Sequence, residues 1–419
     1  MLIGDIKKIN SKMNLGELKL DPIFRENSEN ALSKINALPF PNRRQEKWKY
    51  IKLSKFKKTK FHNDSKFALK TLKELNIPIG SENLIVIENG KLNKKLSNFS
   101  SIKGLEITNF SELNSDSLSF VNQYNEDYDH YFSYLNQYFL NDGMLIKISR
   151  DIKISSVLKI VNLSTSNNIF INSRLNVYLE EGATLKLNQF YASTNQFSNG
   201  FINQICEYDL KQSASLEVNK FQRLKNNNNV CSEFVKQEES SSFIMNTFSL
   251  SGSLLRNDIC VSVNGVDCRT ELNGIFSPSS GEYMDQNTRV DHVFPDCKSY
   301  ENYKGIVKSG GTGVFNGKVV VHKDAQRIEA FQKNNNVLLD DSAVVFSKPE
   351  LEIYADDVKC SHGSTTGQFD EEALFYLRSR GMSRTKAIQM LIVGFINEVI
   401  SKVEEEDYNS FILENILSY

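Results

Sequence analysis

Leu179-Glu-Glu-Gly-Ala-Thr-Leu-Lys-Leu-Asn-Gln-Phe190 and Leu210-Lys-Gln-Ser-Ala-Ser-Leu-Glu-Val-Asn-Lys-Phe221 decide the fold. Leu179, Ala183, Leu185, Asn188 and Phe190 match Leu210, Ala214, Leu216, Asn219 and Phe221 at a constant offset of 31 residues. That spacing lies in the range of solenoid repeats. A parallel β-helix accounts for it: successive coils stack like residues on like, with the Asn residues placed at turns. Ordinary repetition in a β-sandwich is the competing reading.

Short alternating runs continue on both sides of this pair. They include Met144–Ile148, Asn176–Leu179, Thr184–Leu187, Ser215–Val218 and Asp258–Val263. Gly, Asn, Ser and Asp separate them, as expected of strands joined by turns. The pattern lasts to about Tyr354, and no long helical run interrupts it, which argues against a βαβ fold. A solenoid has open strand edges at its ends that must be covered or paired. The flanking regions are natural covers.

Residues 1–140 read as a mixed, partly helical domain. Asp21–Asn36 carries apolar residues at helical spacing, and Pro39 and Pro41 end it. Arg43–Tyr50 contains the only tryptophan, Trp48, read as a packing anchor among basic side chains with apolar stems. Asn114–Leu140 could be a helix covering the next domain. Residues 141–367 form the β core and 368–419 a helical domain. There, Asp370–Arg380 opens with acidic residues suited to a helix amino terminus, and Gly381 stops it. Ser383 can cap a second helix with an apolar stripe of Ala387, Met390, Leu391, Phe395, Val399 and Ile400. Val403–Asp407 is a polar break before a short final segment.

The chain has 419 residues, with 50 Lys and Arg against 51 Asp and Glu. That balance argues against a strong field for nucleic acid or an anionic membrane, and the basic run Lys55–Lys60 reads as a solvated face. Met1–Asn10 lacks the pattern of a signal peptide. Met390–Ile396 is far shorter than the roughly 20 residues of a membrane span. These features predict a cytoplasmic protein. Six scattered cysteines (206, 231, 260, 268, 297 and 360) contain no Cys-x-x-Cys pair, so they read as free, mostly core thiols.

Several chemistries are excluded by spacing. Gly310–Lys318 has Thr312 where a phosphate loop needs its first glycine and Val319 where it needs a hydroxyl. Asn316 breaks the dinucleotide pattern. No Gly-x-Ser-x-Gly elbow or His-Glu-x-x-His helix is present. Of the five histidines, His292 and His322 read as core or turn residues. Ala355-Asp-Asp-Val-Lys-Cys-Ser-His-Gly-Ser364 remains. In an extended strand Cys360 and His362 project to the same face, with Asp356 and Asp357 just upstream. Two ligands do not fill a metal site, so the others would come from elsewhere in the fold or from a second chain. A buried thiol beside a hydrogen-bonded histidine is the alternative.

Longer motifs add to this. Ser299–Gly305, Gly313–Val319, Ala325-Gln326 with Asn334–Leu339, Ser347–Gly363 and Leu374–Gly381 together resemble the SufB/SufD family of iron–sulfur cluster assembly proteins. Arg43–Tyr50 resembles that family's amino-terminal Arg…Glu-x-Trp-Lys-Tyr element. The strong likeness covers about residues 285–400. Cys360-Ser-His-Gly363 looks like the SufD branch rather than the SufB branch, and Ser364 stands where alanine is more usual.

The resemblance implies a mainly β protein: a right-handed parallel β-helix between an amino-terminal α-rich domain and a carboxy-terminal helical domain. It implies a heterodimer with SufB through the β-helix and docking of the SufC ATPase on helices within 370–402. SufC would then supply the nucleotide site missing here, and its ATP-driven closure would be transmitted to the SufB–SufD seam. His362 would be an iron or cluster ligand at that interface, with Cys360 beside it. Iron or a cluster would be held transiently, with no permanent cofactor, and the chain would be a scaffold and not an enzyme. A homodimer is plausible for the isolated chain. A SufB-like sulfur-accepting scaffold and a carbohydrate-active β-helix protein are the competing classes.

Overall fold

The repeated segments are successive coils of a parallel β-solenoid. The computed structural model describes residues 28–113 and 131–418, apart from positions 52, 54, 55, 57, 64, 65, 81, 100, 101 and 195. The amino-terminal ten residues and much of the helix anticipated over 114–140 lie outside the described residues. So do Lys55 and Lys57 of the basic run.

Among the described residues seventeen strands follow in order: β1 (Leu84–Glu88), β2 (Lys91–Leu92), β3 (Leu105–Asn109), β4 (Asp142–Ile148), β5 (Leu158–Ser164), β6 (Phe170–Leu179), β7 (Thr184–Ser193), β8 (Phe201–Leu210), β9 (Ser215–Gln237), β10 (Ser242–Val263), β11 (Arg269–Phe276), β12 (Tyr283–His292), β13 (Lys298–Val307), β14 (Thr312–Val321), β15 (Ile328–Leu338), β16 (Val344–Ile353) and β17 (Val358–Gly367). Alternate strands pair in parallel and build two walls. One wall runs β4, β6, β8, β9, β10, β12, β14 and β16. The other runs β1, β5, β7, β9, β10, β11, β13, β15 and β17. The long strands β9 and β10 bend and serve both.

Leu179 pairs with Leu210, and Leu185, Asn188 and Phe190 pair with Leu216, Asn219 and Phe221. The echo is therefore one coil, read in register. Leu185 and Leu216 fill the bore with the rest of the main core. Phe190, Phe221 and Phe248 stack on the outer face at 4.7 and 5.3 Å between ring centres.

The Asn residues are not in turns. Asn188, Asn219, Asn246 and Asn273 lie within strands and form a ladder on the outer face, each side-chain amide donating to the next carbonyl oxygen at 3.0, 2.8 and 3.0 Å. Stacked coils bring identical amides about 4.8 Å apart, which suits this bonding, and burial makes it obligatory. Asn246→Ala strands one neighbouring donor and one acceptor in a fully buried row. It is expected to cost about 2 kcal/mol in chemical denaturation.

The turns depend on a different device. Asp151, Gly182, Ser213, Ser240, Asp267, Asp296 and Arg327 recur at one corner, all with φ between 56° and 67°. Only one is glycine, although this left-handed conformation favours glycine. Hydrogen bonds between coils hold Asp151, Ser213, Ser240, Asp296 and Arg327, such as Ser213 N to Glu239 O at 2.9 Å and Ser240 N to Val266 O at 2.8 Å.

Helices lie at both ends of the chain. α1 (Ser28–Ala37) and α2 (Tyr131–Tyr138) pack with Trp48, Phe56, Phe61, Phe170 and Phe201 in an aromatic cluster. Trp48 is the anchor its neighbours suggest, but its cation is Arg256 of β10, 4.0 Å above the ring. α3 (Glu371–Ser379), α4 (Arg384–Ile400) and α5 (Glu406–Leu417) close the chain. Asp370 and Ser383 cap α3 and α4 by accepting from Glu372 N and Lys386 N. The buried stripe of α4 is Ala387, Ile392, Ile396, Val399 and Ile400, with Leu391 and Phe395 partly buried, whereas Met390 faces solvent. The segment expected to be short is the twelve-residue α5, whose Tyr408 and Phe411 pack on the stacked phenylalanines. Among the described residues no helix is long and apolar enough to cross a membrane.

Candidate functional site

Cys360 and His362 lie on β17, the last strand of its wall. Strand alternation puts both on the face that looks into the bore. Cys360 sits level with Ala330 and packs against the main core. It is half-buried, and burial pushes its thiol above the ordinary range against a weaker pull from the Ala330 backbone. His362 is exposed, because no further coil follows.

The column that His362 completes changes character along the solenoid. Leu158, Leu187, Val218, Met245 and Leu272 occupy its earlier rungs and belong to the apolar core. Glu301, Gln332 and His362 occupy the last three. On the opposite, outward face of these rungs a cavity of about 760 Å³ is lined by side chains such as Glu271, Asn302 and Lys333 and by Glu398 of α4. Glu301 is only 3% exposed. Its Oε2 accepts from Thr288 Oγ1 at 2.5 Å across the bore, while Oε1 has no partner within hydrogen-bond reach. Burial pushes its carboxyl up to about 7, with Thr288 and Gln332 pulling weakly the other way. Ser364 bonds Ser347 of β16 between hydroxyls at 2.7 Å, so the departure from alanine ties the two walls together at the mouth.

His292 is a core residue: it is fully buried, and its Nε2 is 2.9 Å from Ser299 Oγ. His322 follows β14 and is exposed. Cys206, Cys231, Cys268 and Cys297 are buried, while Cys260 is partly so.

A second polar cluster escaped the sequence reading. Cys206 Sγ, Cys231 Sγ and a Glu233 carboxylate oxygen lie within 4.8 Å of one another, deep in the bore. Lys220 Nζ stands 3.2 Å from Glu233 Oε1 and donates to Asn257 Oδ1 at 2.6 Å. Its ammonium already supplies the positive charge that a cation would bring. Burial holds the Cys206 thiol protonated.

Comparison with known proteins places this geometry in a family. The model of the "SUF system FeS cluster assembly, SufBD core domain" matches residues 162–395, and that of the "SufBD protein N-terminal region" matches 10–160. The chain belongs to the SufBD family. It is 37% identical over 185 residues to the iron-sulfur cluster assembly protein SufD of Escherichia coli, covering 44% of each chain. A SufBD family protein of Synechocystis is 27% identical over 399 residues, 91% of this chain and 88% of that one. A Mycobacterium leprae member is 36% identical over 165 residues, covering 38% of this chain and 42% of the relative. Together, the family and the likeness to SufD, over about 44% of each chain, make this a SufD-like subunit of the SUF system, with a role in iron–sulfur cluster assembly.

Proposed function

We propose that this chain is a non-catalytic SufD-like scaffold that pairs with a SufB partner at the open end of its solenoid and receives the SufC ATPase on its carboxy-terminal helices. His362, with Cys360 beside it, contributes to ligation of iron or a nascent cluster at the SufB seam. The observation that carries this reading is the exposed imidazole on the terminal strand. It sits where a second chain can complete the ligand set, since two side chains alone do not fill a metal site.

Two further observations support it. Val344, Phe346, Ile353 and Tyr354, on or next to β16, are exposed, and an uncovered terminal strand with apolar side chains is a template for pairing. The same edge allows the isolated chain to pair with itself. Phe375, Tyr376 and Met390 project from α3 and α4, with Phe375 at 73% exposure, which suits helix docking on a partner. Iron and cluster are cargo in this scheme, and ATP hydrolysis belongs to SufC.

The test is anaerobic iron and acid-labile sulfide content of the chain co-expressed with SufB and SufC partners, comparing wild type with His362→Ala. Loss of most iron and sulfide from an intact variant complex is the expected result. Unchanged content would place the ligands wholly on the partner. Cys360→Ala in the same assay separates a ligand from a neighbour.

A further inference from the structure

The last three inward rungs of β13, β15 and β17 carry Glu301, Gln332 and His362 in register. The wall across the bore carries Thr288, Gly317 and Pro349 in the same way. The hydrogen bonding between them has a direction. Thr288 Oγ1 donates to Glu301 Oε2 at 2.5 Å. A carboxylate only accepts, so the Gln332 amide can meet Glu301 only with its nitrogen. The amide lies close enough to pull the Glu301 carboxyl down, although neither of its polar atoms makes a hydrogen bond of ordinary length. Its place is set from the facing wall: a Cβ on Gly317 would fall 2.3 Å from Gln332 Nε2, so the glycine leaves the space that the amide fills.

With its nitrogen turned to Glu301, Gln332 keeps an acceptor for the rung above. That oxygen is buried and has no partner, in a residue only 3% exposed. Buried polar atoms are nearly always paired, so this one calls for an explanation. The residue directly above it is His362, one rung or about 4.8 Å along the stack. Pro349, at the same level on the other wall, has no donor to offer. An exposed imidazole reaches the amide by rotation about its own side-chain bonds, and a ligating histidine almost always donates its other ring N–H to a fixed acceptor.

We propose that Gln332 is a positioning residue for His362: its amide oxygen accepts from one imidazole N–H and turns the other, unprotonated nitrogen to the open end of the solenoid. This rests on the reading that His362 is a ligand, and it adds the residues that set its tautomer. Glu301 acts one step further back by fixing which way the amide points. The inward column therefore becomes polar only where an imidazole has to be aimed. One rung before Glu301 the same position is the apolar Leu272.

The experiment is nuclear magnetic resonance of the full-length chain with ¹⁵N-labelled histidine, reading the ring nitrogens at pH 8.5. There Glu301 is ionised and a free imidazole is neutral, so the shifts report the tautomer. The His362 signals are those missing from His362→Ala. Wild type is expected to hold one dominant tautomer. Gln332→Leu removes the acceptor, and Gly317→Ala displaces the amide from the opposite wall. Each is expected to lower the tautomer ratio severalfold with native circular dichroism. Glu301→Gln lets the amide point either way and is expected to give a smaller fall. In the co-expressed partner complex, Gln332→Leu is expected to lose iron and acid-labile sulfide severalfold. An unchanged tautomer in Gln332→Leu overturns the positioning role and leaves His362 to its own assay. If the tautomer moves but His362→Ala keeps its iron, the hydrogen bond is upheld and the ligand reading is what fails.

Discussion

Lys220→Met is expected to destabilise the protein by about 3–5 kcal/mol, the cost of breaking a buried ion pair from one side. Lys220 and Glu233 face each other across the bore, and neither is exposed. Lys220 also lies 5.1 Å from the centre of the Tyr191 ring. Methionine replaces the aliphatic stem but leaves the Glu233 carboxylate without its counter-charge, and Glu233 Oε2 already lacks a partner. The double variant Lys220→Met/Glu233→Gln is expected to recover most of the loss, because no charge is stranded. The non-additivity is the signature of a coupled pair. The pH dependence has a definite sign. An unpaired buried carboxylate has a raised folded-state pKa, so the penalty of the single variant grows as pH rises and shrinks in acid, where Glu233 takes up a proton. Urea denaturation at two pH values checks both points. Equal losses in the single and double variants would assign the effect to packing.

That pair also shows where sequence reading stops. The 31-residue echo reported the coil length and stacking because Leu185, Phe190 and their partners two coil faces away obey the same geometric rule. The strand carrying Cys360 and His362 was legible for the same reason, since period-two alternation sets both on one face. Lys220 and Glu233 were not legible. Alternation distinguishes inside from outside only when one side is wet, and here α4 and α5 cover part of the outer face while polar side chains pair across the bore. A lysine in an alternating strand then looks like a surface residue. The corner was hidden as well, because Ser213, Ser240 and Asp296 do a glycine's work through hydrogen bonds to the next coil. Asn188 and Asn219 were visible as a repeat but misplaced: asparagine suits turns, yet stacking can satisfy it mid-strand. Glu301 lies in a motif that resembles the family's, but its inward direction depends on register, which only the three-dimensional pairing of β11, β13 and β15 supplies.

Glu301→Gln is expected to raise stability, and the gain depends on pH. Burial moves the Glu301 carboxyl from 4.5 in the unfolded chain to about 7 in the fold. A group whose folded-state pKa is raised binds its proton more tightly when folded. Its cost to stability is therefore absent in acid, grows as pH rises through 4.5, and levels off above 7. At about 1.4 kcal/mol per unit, the penalty at pH 8 is about 3 kcal/mol and at pH 5 it is below about 1 kcal/mol. Glutamine carries no charge and can keep the bond to Thr288, so the variant should gain close to that difference at pH 8 and little at pH 5. The background slopes the other way at lower pH. Burial holds His292 neutral down to about 4, so the wild type loses stability as pH falls from 6.5 towards 4, where the unfolded chain takes up the proton first. Subtracting the wild-type curve from that of the variant removes this term, because Glu301 and His292 are separate groups and only one is changed. The measurement is guanidinium denaturation of both proteins from pH 5 to pH 8.5. A flat difference across that range would mean that Glu301 is solvated in the fold. A difference rising with pH would mean that the fold carries a buried acid near its open end at a cost to stability.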